Sequence, residues 1–166
     1  MLKNLVAVTA AALAVEASSA PAALRTLCAS EQSTLFSCST GAKLVSVCSS
    51  TDLSTSAGTL QYRFGRPSKF LVHPAEGVDW RTLTYAGTWT FSGGGGAWLA
   101  FAKKPYRYTV YTAVGHGWRA KAGVMVEQGG QRVAHLRCRA APRSDLGPAL
   151  FERAGLVDEG DTFTLP

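Results

Sequence analysis

The residues of this chain that could do chemistry are His73, His116 and His135, four cysteines, a run of glycines at 93–96 and a belt of lysines and arginines. Nucleophilic catalysis needs a nucleophile, a base and a group that orients the base. The histidines are scattered, and neither a G-x-S-x-G elbow nor an H-E-x-x-H metal motif occurs. The acids Asp52, Glu76 and Asp79 fall in loop segments, so a cell-wall hydrolase site would have to be assembled from them by folding alone. Without a cofactor motif or paired metal-ligand spacing, a non-enzymatic protein with no metal and no cofactor is expected.

Two stretches suit binding better. Gly115-His116-Gly117-Trp118-Arg119 reads as a turn displaying His116, Trp118 and Arg119, after a strand that carries Tyr106, Tyr108 and Tyr111. Trp and Arg are the side chains that most often anchor a protein partner, and an indole here could also stack on a sugar ring. The equal alternative is a tight turn whose Trp118 folds back onto its sheet. The second stretch is Ser92, the glycines at 93–96 and Trp98. Consecutive glycines can cradle an anion with backbone N–H groups. Phosphate loops, however, carry Lys and Ser or Thr at set spacings and lead into a helix. The run reads instead as a flexible hairpin loop, with Ser92 and Trp98 as a second contact.

Charge adds a third surface. The net charge is +6, and between residues 80 and 143 ten basic residues stand against one acid, Glu127. Asp158, Glu159 and Asp161 then reverse the sign. A basic face around Lys121, Arg132 and Arg137 suits an anionic envelope polymer or an acidic partner, and the plain alternative is a solvated sheet face. No specific nucleic-acid role is expected of an exported chain.

The elements that must position these residues are strands. TLFSCSTGAKLVSVC at 34–48 reads as a hairpin across Thr40-Gly41-Ala42, and residues 59–64 alternate as a half-buried strand. With 69–73 they make a four-stranded antiparallel meander. Residues 83–91, 97–102, 106–114, 120–128 and 131–139 make a second one, with Gly87 read as a bulge. Leu150, Phe151 and Ala154 can share one face of a short helix within 147–155. The expected fold is all-β, two antiparallel meanders forming a sandwich or small barrel, with a short C-terminal helical turn.

The first 22 residues read as a cleaved signal peptide, with Lys3, an apolar run at 5–15 and small residues before Ala22. Residues 23–145 would be a single domain and 146–166 a C-terminal tail. No later apolar run approaches membrane-spanning length. The even cysteine count in an oxidising compartment argues for two disulfides, for which sequence allows three connectivities. Cys38 and Cys48 would lie far apart along their hairpin on opposite faces, which favours Cys28–Cys48 with Cys38–Cys138.

The motifs LFSC, KLVSVC, LQYRFG at 60–65, and GVMV at 123–126 with Leu136-Arg137-Cys138 together resemble a group of small exported proteins of Gram-negative bacteria. The resemblance implies a periplasmic or secreted β-protein and assigns no residue a role. A looser likeness is to periplasmic immunity or inhibitor proteins that plug cell-wall hydrolases. The expectation is therefore a non-catalytic periplasmic binding protein docking an envelope enzyme or effector through its loops. Binding of anionic polymer through the basic face and wall hydrolysis are the alternatives.

Overall fold

Alternation of apolar and polar residues sets the strands. The computed structural model describes residues 25–166; the expected signal peptide lies outside the described residues. Strands β1 (Ser33–Ser39), β2 (Leu44–Ser49), β3 (Leu60–Arg66) and β4 (Lys69–His73) form one antiparallel meander. A 3-10 turn at Trp80–Leu83 leads to the second, made of β5 (Thr84–Phe91), β6 (Gly94–Lys103), β7 (Tyr106–Gly115), β8 (Trp118–Gln128) and β9 (Gln131–Arg137). The chain then returns to the first sheet as β10 (Arg143–Ser144), pairs along the free edge of β1, and enters helix α1 (Pro148–Ala154).

The two five-stranded sheets face each other as a sandwich. Phe36, Val47 and Tyr62 of the first pack with Leu99, Phe101 and Val110 of the second, and Leu150, Phe151 and Ala154 of α1 join the same core. In β1 and β2, Phe36 stands opposite Val47 and Cys38 opposite Val45, so Cys48 points to the other face. That geometry fixes the disulfides. Cys28–Cys48 pins the N-terminal segment to the outer side of β2, and Cys38–Cys138 ties β1 to the residue following β9, one sheet to the other. Among the described residues no helix is long and apolar enough to cross a membrane.

Two local expectations are corrected. The glycine run is strand rather than loop: the turn is Ser92-Gly93 alone, and Gly95 and Gly96 pair with Thr90 and Trp89 on one side and Val114 and Ala113 on the other. A Cβ on Gly96 would lie 2.6 Å from the Ala113 Cβ and 2.8 Å from the Trp89 ring. The glycines let neighbouring groups close over the sheet. Gly87 is no bulge either, since its ladder with Trp98 runs in unbroken register. The segment after residue 145 packs on both sides of the second sheet. Its helix is core, and its last nine residues cross the outer face of the second sheet.

Candidate binding surface

The β5–β6 and β7–β8 hairpin tips meet at one edge of the second sheet. A Cβ on Gly93 would lie 2.9 Å from the Cβ of His116, so the turn bearing Ser92 abuts the turn bearing His116. Ser92, His116 and Gly117 are exposed. Trp118 is half-buried: its indole meets the Phe91 ring edge-on at 5.7 Å and lies over Gly115. Its other face carries the Lys121 ammonium, 5.3 Å from the ring. Trp118 is thus both folded back and partly presented. Arg119 follows it on β8. Trp98 does not belong to this edge. It is fully buried on the outer face of the sheet, and the three tyrosines of β7 divide likewise, with Tyr108 packed inward and Tyr111 outward.

Two of the predicted cations, Lys121 and Arg137, lie beside these tips, and Arg132 stands opposite Glu127 at the far end of β8. Cross-strand register places Lys121 opposite Ala113, Arg137 opposite Gly123 and His135 opposite Met125. The proton affinity of His135 is held below the ordinary imidazole value, first by burial and then by the charges of Arg137, Arg132 and Lys121. Those three side chains therefore share one field with His135. The Tyr111 hydroxyl lies 2.6 Å from His135 Nε2, and burial raises the tyrosine's pKa against the opposing pull of Arg137. Among the described residues the one ion pair is Arg143–Asp145, and the one carboxylate facing the cluster in the ladders is Glu127, opposite Arg132 and Arg107. A cavity of about 270 Å³ lined by Tyr111, Trp118, Lys121 and Arg137 joins the hairpin tips to the basic cluster. The two surfaces that sequence separates are continuous.

Sequence reasoning misses the third component, the chain's own tail. Asp158 receives hydrogen bonds from the Thr88 backbone N–H (2.9 Å) and hydroxyl (2.6 Å), which lowers the pKa of its carboxyl. Trp98 Nε1 donates to the Gly160 carbonyl, Trp89 Nε1 to that of Phe163, and Lys121 Nζ to that of Pro166. The Phe163 ring sits about equally far from Trp89, Trp98 and Tyr111, with centroids at 5.8, 5.9 and 6.2 Å. The available signal was an acidic segment with a single Phe, downstream of strands rich in Trp and cations.

The remaining polar candidates do not converge. His73 bridges the sheets, with Nε2 2.8 Å from the Ala102 carbonyl. Asp79 accepts from the Arg81 backbone N–H as the cap of the 3-10 turn. Among the described residues no three His, Cys, Asp or Glu side chains are grouped to hold a metal ion. No protein-family model matches this chain, and no curated protein or solved structure does either.

Proposed function

We propose that this chain is a non-catalytic, exported binding protein of the cell envelope, docking a protein partner such as an envelope enzyme or effector. The observation that carries the reading is the junction of the two hairpin tips, where Ser92 and His116 stand exposed beside a Trp118 braced by Phe91 and Lys121. A rigid aromatic with an adjacent cation at an exposed edge is the composition of an interface anchor. The two disulfides suit an oxidising compartment. Affinity capture by the oxidised chain from an envelope extract tests it. One stoichiometric protein retained at high salt and lost with the His116→Ala/Trp118→Ala variant is the expected result; unchanged capture by that variant removes the edge from the account.

A second reading, binding of anionic envelope polymer, is favoured by Lys121, Arg132 and Arg137 lying along the outer face of β8 and β9 with Lys121 and Arg137 lining one cavity. It differs in its salt dependence. Contacts made by exposed charges weaken steeply as the Debye length shrinks, whereas an interface anchored by Trp118 weakens little.

A further inference from the structure

Residues 158–166 lie across the outer face of β5–β8 in a groove between aromatic and basic side chains. The donors that hold the tail reach its backbone: Trp98 to the Gly160 carbonyl, Trp89 to Phe163 and Lys121 to Pro166. These carbonyls recur every third residue, the repeat of a polyproline II helix. Beyond Glu159, which pairs with Ala86, the tail makes no backbone-to-backbone hydrogen bond among the described residues. Aromatic grooves that read extended segments work in this way, with ring donors to carbonyls and one pocket for a side chain. Here the pocket is the ring cage around Phe163, and the Thr88 N–H and hydroxyl read a carboxylate five residues earlier.

A misfit is visible on the floor of the groove. Thr109 is fully buried, and its hydroxyl has no hydrogen-bond partner among the described residues. Arg107, whose guanidinium lies 5.6 Å from the Trp98 ring, has a buried Nε that is likewise unpaired. Buried polar groups in folded chains are nearly all paired. Cavities of about 270 and 510 Å³ flank the tail, the first lined by Lys121 and Arg137, the second by Arg107 and Arg132 with Glu127 between them. The acids Glu159 and Asp161 are exposed and form no ion pair with these cations.

We propose that the groove binds, in trans, an extended acidic peptide segment of a partner protein that carries an aromatic residue five positions after a carboxylate, and that residues 158–166 are a tethered stand-in it displaces. The proposal rests on the reading of the chain as a binding protein, but on the outer sheet face, which adjoins the hairpin tips at Trp118.

The test uses the full oxidised chain and a fluorescein-labelled peptide of the sequence of residues 158–166. A tethered segment competes at high effective concentration. Wild-type chain should therefore bind the free peptide weakly, and the Asp158→Ala/Phe163→Ala chain at least about tenfold more tightly. Trp89→Phe in that background keeps a ring but removes the indole N–H, and should weaken the peptide several-fold. No binding by a tail-loosened chain with native near-ultraviolet circular dichroism, or equal binding of a peptide with Ala in place of Phe, overturns the proposal. Should the double variant misfold, a protease site inserted after Val157, which is 80% exposed, gives a nicked chain. Exchange of labelled peptide into that chain supports the proposal, and a tail that never exchanges overturns it. A wild-type dimer that free peptide converts to monomer would assign the groove to a second copy and overturn it as well. The His116→Ala variant should bind the peptide normally, because Trp118 and not His116 lines the cavity beside Pro166, so failure here and failure of tip docking are read separately.

Discussion

Gly87 stands opposite Trp98 in the β5–β6 ladder, and a Cβ at Gly87 would lie 2.5 Å from the Cε2 and Cζ2 atoms of the indole. The same Cβ would strike the carbonyl of Gly160, the group that Trp98 Nε1 holds at 2.9 Å. One missing methyl group thus lets a strand, a ring and the tail occupy adjoining space. Gly87→Ala must push the ring or the tail outward. Overpacking of this kind costs about 2 kcal/mol, so the melting temperature should fall by roughly 5–10 °C. Tryptophan emission should shift to the red as the tail loosens. An unchanged melt and spectrum would mean that the tail does not seat on Gly87.

The same position marks where sequence legibility ends. The strand pattern, the two meanders, the pairing of Cys28 with Cys48 and the buried face of α1 could all be read from alternation and spacing, because those signals are local or follow from strand parity. A glycine in a strand, by contrast, signals only that something comes close. At Gly87 it is Trp98 and the tail, and at Gly96 it is Ala113 and Trp89. Which group comes close depends on partners up to 74 residues away, as with Trp89 and Phe163. The two-residue β10 carries too little pattern to be recognised at all. Trp98 reads as a partner contact beside Ser92 for the same reason. It follows a glycine run in sequence, but its neighbours in space are Gly160 and Phe163.

The disulfides should differ in worth. Cys38–Cys138 spans 100 residues and Cys28–Cys48 spans 20. Chain-entropy arguments give roughly 5 kcal/mol for the longer closure and roughly 3 for the shorter. Paired Cys→Ser variants, melted in denaturant, should show the larger drop for the Cys38–Cys138 pair, since that bond also joins the two sheets. A larger drop for Cys28–Cys48 would place the main constraint in the N-terminal segment instead.

At the hairpin tips, stability and binding should separate. His116 is exposed, and no side-chain hydrogen bond holds it among those formed in the described residues. His116→Ala should leave the melt within about 0.5 kcal/mol of wild type while weakening partner capture. Trp118 is half-buried against Phe91 and Gly115, and Trp118→Ala should cost about 2 kcal/mol from lost apolar burial in addition to the loss of capture. Comparing thermal melts with capture for the two single variants checks this.

His135 gives the molecule a dependence on mild acid. Burial and the charges of Arg137, Arg132 and Lys121 hold its pKa below the ordinary 6.5. Between the folded value and 6.5 the unfolded chain takes up the proton and the folded chain does not. Stability is therefore full above about pH 6.5 and declines as the pH falls below it. The contact of 2.6 Å with the Tyr111 hydroxyl tightens the coupling, because protonation removes the Nε2 lone pair that can accept from it. His135→Gln should flatten the pH profile of melting between about pH 7.5 and pH 5. A wild-type profile already flat over that range would show that His135 titrates freely in the folded chain.

Asp158 acts in the opposite range and on the tail alone. The Thr88 hydroxyl and backbone N–H favour its ionised form, so its pKa lies below the usual 3.8. The stability this adds is present above 3.8 and is lost as the pH falls through the lower folded value. The carboxylate is exposed, so the effect on global unfolding should be small. Its effect on the tail should be larger, because Asp158 begins the run of contacts that ends at Pro166. Thr88→Val removes one of the two donors and should lower proteolytic resistance of residues 156–166 severalfold at neutral pH, with little change in the melt. Asp158→Asn should do the same, and should also abolish the acid-dependent part of that loosening between about pH 5 and pH 2.5. Limited proteolysis read by mass spectrometry distinguishes the cases. Cleavage after residue 155 that is insensitive to both substitutions would show that Phe163 and the two indoles hold the tail without help from the carboxylate.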